Sequence, residues 1–170
     1  MMTSTNTASA SIRRATRGDF PAIERLLISA DLPTAGVETI LDTHPADFFV
    51  AETGAAPNRM VAVAGLEVCH NTAVLRSVAV DPEWRRRGLG RELVQQIVCD
   101  AETRGIHALY LLTMTAEHYF PRLGFERVER SSVPDEIAET VEFKCACPAT
   151  AVAMKRALSS ARGRAAAGRT

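Results

Sequence analysis

Residues 78–94, V-A-V-D-P-E-W-R-R-R-G-L-G-R-E-L-V, concentrate more chemistry than any other segment of the chain. An apolar run passes through a proline turn into Arg85, Arg86 and Arg87. Gly88 and Gly90 follow, and a helical pattern begins. A helix N-terminus carries unpaired backbone N–H groups and partial positive charge. Glycine has no Cβ, so an anion can come close to the backbone there. Three consecutive arginines oppose the helix dipole and call for an anion in return. The pattern is that of a pyrophosphate cradle. The plain alternative is a basic first turn left in solvent. A Walker A loop needs G-x-x-x-x-G-K-S/T, which the chain lacks. A Rossmann fingerprint needs a third glycine where Leu93 stands.

Two other groups of residues invite chemistry. Glu67 lies in an otherwise apolar stretch, V-A-V-A-G-L-E-V. Period-two alternation puts Gly65, Glu67 and Cys69 on one face, with Gly65 leaving space beside the carboxylate. Glu67 reads as a proton acceptor or a cation binder, or else as a solvent-facing strand residue. Cys145-Ala146-Cys147 suits soft ions, but two thiols one residue apart do not make a site, and buried structural thiols are the expectation. No C-x-x-C occurs, and His44, His70, His107 and His118 fall into no zinc-finger spacing. No metal is expected, and His118 reads as a surface residue.

These residues need a scaffold, and the apolar periodicity supplies one. Ile12–Ala15 reads as a strand. Asp19 caps a helix with Pro21 in its first turn and Ile23, Leu26, Leu27 and Ala30 on one face. A short helix over Val37–Leu41 and a strand over Phe48–Glu52 follow. Met60–Cys69 and Ala73–Val80 form a hairpin around His70-Asn71-Thr72. Leu89, Leu93, Val94, Ile97, Val98 and Ala101 make one face of a helix stopped by Gly105. Then come a strand at Ala108–Leu112, a helix at Ala116–Leu123, a strand at Phe125–Val128, a helical turn at Asp135–Thr140 and a strand at Val152–Ala157. An antiparallel meander followed by strand–helix–strand units predicts an α/β fold with a mixed sheet.

Composition bounds the function. A chain of 170 residues, 46% hydrophobic and 24% charged, is one globular domain by its size and balance. That domain is expected over residues 11–158, between a disordered segment of small polar residues at 1–10 and a disordered basic tail at 159–170. Twenty Lys+Arg balance twenty Asp+Glu, so no global charge draws the chain to nucleic acid or an anionic membrane. Neither is an expected partner. Four cysteines are too few for a disulfide scaffold. The opening M-M-T-S-T-N-T-A-S-A-S is no secretory signal, and no run of about 18 apolar residues exists to span a membrane. A cytoplasmic setting is expected.

Val78, Val80, Pro82, Arg85, Gly88 and Gly90 match the signature V-x-V-x-P-x-x-R/Q-x-x-G-x-G/A at every fixed position. By this the chain resembles the GCN5-related N-acetyltransferase (GNAT) family, and the element order agrees over residues 12–157. A second family segment, N-x-x-A-x-x-L-Y-x-x-x-G-F, reads T-M-T-A-E-H-Y-F-P-R-L-G-F over 113–125. Ala116, Gly124 and Phe125 match it. Thr113 replaces the frequent Asn, and Phe120 the frequent Tyr. The segments L-P-T-A-G (32–36), A-G-L-E-V (64–68), L-R-S-V-A-V (75–80), Y-L-L-T-M-T-A-E (110–117) and T-V-E-F through C-P-A-T-A-V-A-M (140–154) are similar to a subgroup found with arsenic-resistance operons.

The resemblance implies a mixed sheet splayed at the site of acetyl-CoA, which serves as co-substrate. Backbone groups of Val78, Ala79 and Val80 would meet the pantetheine arm. The amides of Arg86, Arg87, Gly88, Leu89, Gly90 and Arg91 would wrap the pyrophosphate, with Arg85 supporting the loop and Thr113 and Phe120 beside the cofactor. The implied reaction is acetyl transfer to the primary amine of a small molecule, in the service of arsenic or toxin resistance. A homodimer is left open. An alkyl ammonium, with a pKa near that of lysine at about 10, must lose a proton before it attacks a thioester. Glu67 is the candidate base. Phe120 cannot protonate a departing thiolate. Tyr119 is the candidate acid, although one helical step turns it by about 100° from its neighbour. The competing class is a non-catalytic CoA-binding module, which acetyl-CoA turnover with an amine panel separates from an enzyme.

Overall fold

A computed structural model describes residues 9–54 and 56–159. Most of the two expected tails, residues 1–8 and 160–170, lies outside the described residues. Seven strands form one sheet: β1 (Ala10–Arg14), β2 (Phe48–Thr53), β3 (Met60–Cys69), β4 (Thr72–Val80), β5 (Ala108–Thr113), β6 (Glu126–Val128) and β7 (Val152–Ala157). Their order is β1-β2-β3-β4-β5-β7-β6. All neighbours are antiparallel except β4 and β5, which run parallel. The helices are α1 (Phe20–Ser29), α2 (Val37–Thr43), α3 (Leu89–Thr103) and the single turn α4 (Asp135–Ala138).

Alternation along the strands divides the apolar side chains between two layers. Phe49 and Ala51 of β2 face α3, where they meet Leu93, Val94, Ile97, Val98 and Ala101. Phe48 and Val50 face the other way, onto Ile23, Leu26 and Leu27 of α1 and Val37 and Leu41 of α2. Farther along that side, Val74, Ala108 and Tyr110 pack with Ile137 of α4 and Phe143. Pro21 stands in the first turn of α1 as expected. Asp19 precedes that helix but closes the turn before it, accepting the Thr16 amide at 2.7 Å and two Arg13 contacts at 2.8 Å. The Arg13 guanidinium holds this carboxyl down at a pKa of about 2.

Three features depart from the sequence reading. Residues 116–123 do not form a regular helix: a turn leads into a short 3-10 helix over Phe120–Leu123, ended by left-handed Gly124. Pro121 disfavours α geometry in the residue before it, and the Thr113 hydroxyl caps the Ala116 amide at 2.9 Å, which tightens the chain into a turn. Gly65 leaves no space beside Glu67: a Cβ there would lie 2.4 Å from the buried ring of Phe48. A π-helical turn, Glu142–Ala146, precedes β7 where no periodicity had marked an element.

Candidate functional site

The parallel partnership of β4 and β5 is short. Thr72, Ala73 and Val74 pair with Ala108, Leu109 and Tyr110, and the two strands then part. Among the described residues, Leu75–Val80 therefore have no strand partner on the β5 side, although β3 still covers their other edge. Within this stretch β4 bulges: Ser77 and Val78 face the single residue Ala64 between the pairs Val63↔Ala79 and Gly65↔Arg76. Ser77 takes a left-handed backbone, φ 57, and its buried hydroxyl has no partner among the described residues. A strand end opened on one edge can accept an extended ligand as an added strand. The expected pantetheine contacts Val78, Ala79 and Val80 lie on this open segment.

Beyond Val80 the chain turns through a 3-10 helix, Pro82–Trp84, capped by Asp81, whose carboxylate accepts the Glu83 amide at 2.9 Å. Arg85 donates its Nε to the Val80 carbonyl at 3.1 Å, tying the loop back to the strand. Arg87 stacks over the Trp84 ring at 4.7 Å. Arg86 and Gly88 both have positive φ, 63 and 78, so successive amides turn toward the mouth of α3. Among the described residues, no acceptor engages the amides of Arg86 through Arg91, and no carboxylate pairs with Arg85, Arg86, Arg87 or Arg91. A Cβ on Gly88 would meet nothing within 4 Å. The space, the free amides and the unopposed charge fit a pyrophosphate. The adjoining cleft, about 330 Å³, is lined by Arg91, Gln95, Arg122 and Arg156.

Tyr119 and Phe120 diverge. Phe120 is buried in the α3-side core against Phe125, their ring centroids 5.7 Å apart. Tyr119 is half-buried, and its hydroxyl would stand 3.0 Å from a Cβ on Gly90. The phenol thus lies at the mouth of α3. Burial pushes its pKa up, with Arg91 opposing. The Thr113 hydroxyl is engaged in its turn. His118 is 93% exposed and lies 3.6 Å from Glu117.

At the other end of β4, Glu67 does not stand alone. Its Oε2 accepts Arg76 Nη1 at 3.0 Å, and Arg76 Nη2 lies 3.1 Å from Glu142 Oε2. Arg76 and Glu142 are buried. Neither was singled out by the sequence reading. The signal was an arginine in the middle of an apolar strand, because a charge in such a position requires a partner. The Cys147 thiol donates to Glu142 Oε1 at 3.4 Å. Burial, reinforced by Glu142, raises it to a pKa of about 12, and burial with Glu67 and Glu136 raises Cys69 to about 11. Cys145 is exposed and bonded to the Val141 carbonyl.

A sheet splayed beside an arginine-lined helix mouth defines a class of protein with the opening and the charge for a long, phosphate-headed ligand. Comparison with known proteins gives that class a family. The model for the acetyltransferase (GNAT) domain matches residues 44–127. An uncharacterized N-acetyltransferase of Chlorobaculum tepidum is 30% identical over 130 residues, 74% of this chain and 81% of that protein. An amino-acid acetyltransferase of Mycobacterium tuberculosis is 28% identical over 129 residues, 74% of each chain. The N-acetylglutamate synthase of Neisseria gonorrhoeae, solved with coenzyme A and N-acetyl-glutamate, superposes with a TM-score of 0.74 at 22% identity. That match covers 91% of this chain and 36% of the synthase. The chain belongs to the GNAT family of acetyltransferases. No helix among the described residues is long and apolar enough to cross a membrane.

Proposed function

We propose that the protein transfers the acetyl group of acetyl-CoA to the primary amine of a small molecule, by direct attack with both substrates bound. The observation that carries this reading is the open edge of β4 running into acceptor-free amides and unopposed arginines at the mouth of α3. Acetyl-CoA supplies an activated acyl group, and the protein supplies placement and proton handling. Val78, Ala79 and Val80 orient the pantetheine arm. The amides of Arg86 through Arg91 hold the diphosphate, with the arginines neutralising its charge. Holding both reactants side by side removes much of the entropic barrier. A β4 N–H at the bulge is suited to stabilise the charge that grows on the carbonyl oxygen. Glu67 binds the ammonium and accepts its proton, directly or through one water. Tyr119, with its hydroxyl at the cradle, serves the cofactor rather than the reacting sulfur. A thiol has a pKa of only about 8.5, so its anion leaves without a strong acid.

The likeness to an amino-acid acetyltransferase over most of both chains supports a small amine-bearing acceptor. A role in arsenic or toxin resistance would then run through N-acetylation of a toxic amine. The test is CoA release from acetyl-CoA with a panel of free amino acids, alkyl amines, amine-bearing toxins and peptides with free N-termini. Turnover with a small amine and none with peptides is expected. Turnover confined to peptides moves the acceptor to a protein N-terminus. Acetyl-CoA binding without turnover on any amine overturns the reading.

A further inference from the structure

Arg76 is the most thoroughly enclosed charge among the described ion pairs, with a side-chain exposure of 0%. It stands on β4 opposite Gly65, whose missing side chain leaves that place to the Phe48 ring. Its guanidinium joins three separate parts of the chain. Nη1 donates to Glu67 of β3, Nη2 donates to the Ala35 carbonyl in the loop between α1 and α2, and Nη2 also faces Glu142 in the π turn. The contacts are unequal. Glu142 Oε2 lies within ion-pair distance yet outside hydrogen-bond geometry, and Arg76 Nε has no partner among the described residues. The well-formed bond to a carboxylate goes to Glu67, through Oε2 alone. Glu67 Oε1 has no partner among the described residues, and the Glu67 side chain is 22% exposed against 7% for Glu142. Two carboxylates face this one guanidinium, and Glu67 is the one that meets solvent.

We propose that Arg76 is a positioning residue that pins Glu67 by one oxygen and presents the other to the ammonium of the incoming amine, with Ala35 and Glu142 as its own anchors. The inference rests on the acetyl-transfer reading above and narrows it: the acceptor arrives as a cation. A fixed fork of donors suits this task, because a guanidinium can hold several acceptors in one plane while an ammonium is a single point.

The experiment is a double-mutant cycle on kcat and on the KM for each substrate, using Arg76→Lys, Glu67→Gln and the pair. Because Arg76 acts through Glu67, Arg76→Lys should lower kcat at least tenfold in the native background and less than threefold when Glu67 is already Gln. The KM for acetyl-CoA should move less than threefold throughout. An Arg76 that only staples the fold gives losses that multiply, or a lowered melting temperature with kcat unchanged, and either result overturns the proposal. If Arg76→Lys does not fold, Glu142→Gln replaces it. That change loosens the anchor and should lower kcat at least threefold, again only when Glu67 is present. Equal losses in both backgrounds reject the proposal. A Glu67→Gln enzyme with full kcat and an unchanged KM for the amine also rejects it and leaves acetyl transfer standing, whereas a native protein that acetylates no amine removes the reading beneath it.

Discussion

The arginines at the two ends of the open β4 segment are handled in opposite ways. Arg76 is sealed from water and surrounded by acceptors belonging to the protein itself. Among the described residues, Arg85, Arg86, Arg87 and Arg91 form no ion pair with a carboxylate. Arg13, Arg14, Arg17 and Arg104 resemble Arg76 in being paired with acids. A chain of zero net charge has as many acidic as basic side chains, and the clustering of four unpaired arginines at the mouth of α3 supports the anion site proposed there. The acceptor end has instead spent its arginine internally and keeps a carboxylate that meets solvent. On the proposed reading, one end takes an anion and the other a cation. This is the polarity that a thioester with a diphosphate tail and a protonated amine require.

The sharpest way to break the comparison is to remove the charge of Glu67. Glu67→Gln keeps size and hydrogen bonding to Arg76 but accepts no proton. It should lower the maximal rate about a hundredfold or more, the ordinary worth of a general base, and leave acetyl-CoA affinity intact by calorimetry. The acidic limb of the pH–rate profile should move or vanish. A rise only in the amine's KM would make Glu67 a binding residue.

The second test concerns how tightly each end is packed. Gly65→Ala sets a Cβ 2.4 Å from a Phe48 ring that is fully buried and has nowhere to go. Overpacking of this kind costs about 1–3 kcal/mol, and each kcal/mol should lower the melting temperature by about 2–4 °C in a chain of this size. An unchanged melting temperature would show that the ring yields and that the acceptor end is as loose as the cradle.

This same contrast explains how much of the site was legible in the sequence. The cradle is local: Pro82, Arg85, Gly88 and Gly90 lie within nine residues, and each has a physical reason to be there. The strands and the helices α1 and α3 were legible because their apolar spacing reports burial directly. The acceptor end was not, because its members come from β3, β4 and a turn near the C-terminus, with Glu67 and Glu142 separated by 75 positions in the chain. No spacing rule brings Glu67, Arg76 and Glu142 together. The Phe48 ring in the place left by Gly65 was hidden for the same reason, since strand alternation tells which side a residue faces but not which ring crosses from the neighbouring strand. The helix expected at 116–123 failed on a local rule given too little weight, the effect of Pro121 on the residue before it.

The third test strikes the cradle. Gly90→Glu would put a Cβ 3.0 Å from the Tyr119 hydroxyl and 3.3 Å from Val80, and would add a negative charge where the arginines await an anion. Acetyl-CoA affinity should fall at least tenfold, about 1.4 kcal/mol, with the fold retained by circular dichroism. Unchanged affinity in calorimetry would sink the assignment of this end.

The smallest effect expected belongs to Tyr119, which tests whether the two ends are as separate as their charges suggest. Its hydroxyl lies beside Gly90 and has no hydrogen-bond partner among the described residues. Burial raises its pKa, so the group stays a neutral phenol throughout the range in which the enzyme is assayed, and its titration contributes no basic limb below the ordinary tyrosine value of about 10. Val80, whose Cγ2 flanks the same Gly90 position, is three residues beyond the Ser77 bulge, roughly 10 Å along a strand. The phenol stands at the cradle. Tyr119→Phe should therefore change the maximal rate less than about threefold, or about 0.6 kcal/mol in the barrier, with any larger change confined to the KM for acetyl-CoA. A loss beyond about a hundredfold, together with a shifted basic limb, would identify the phenol as the acid that protonates the departing thiolate. It would also show that the cofactor end takes part in the chemistry itself.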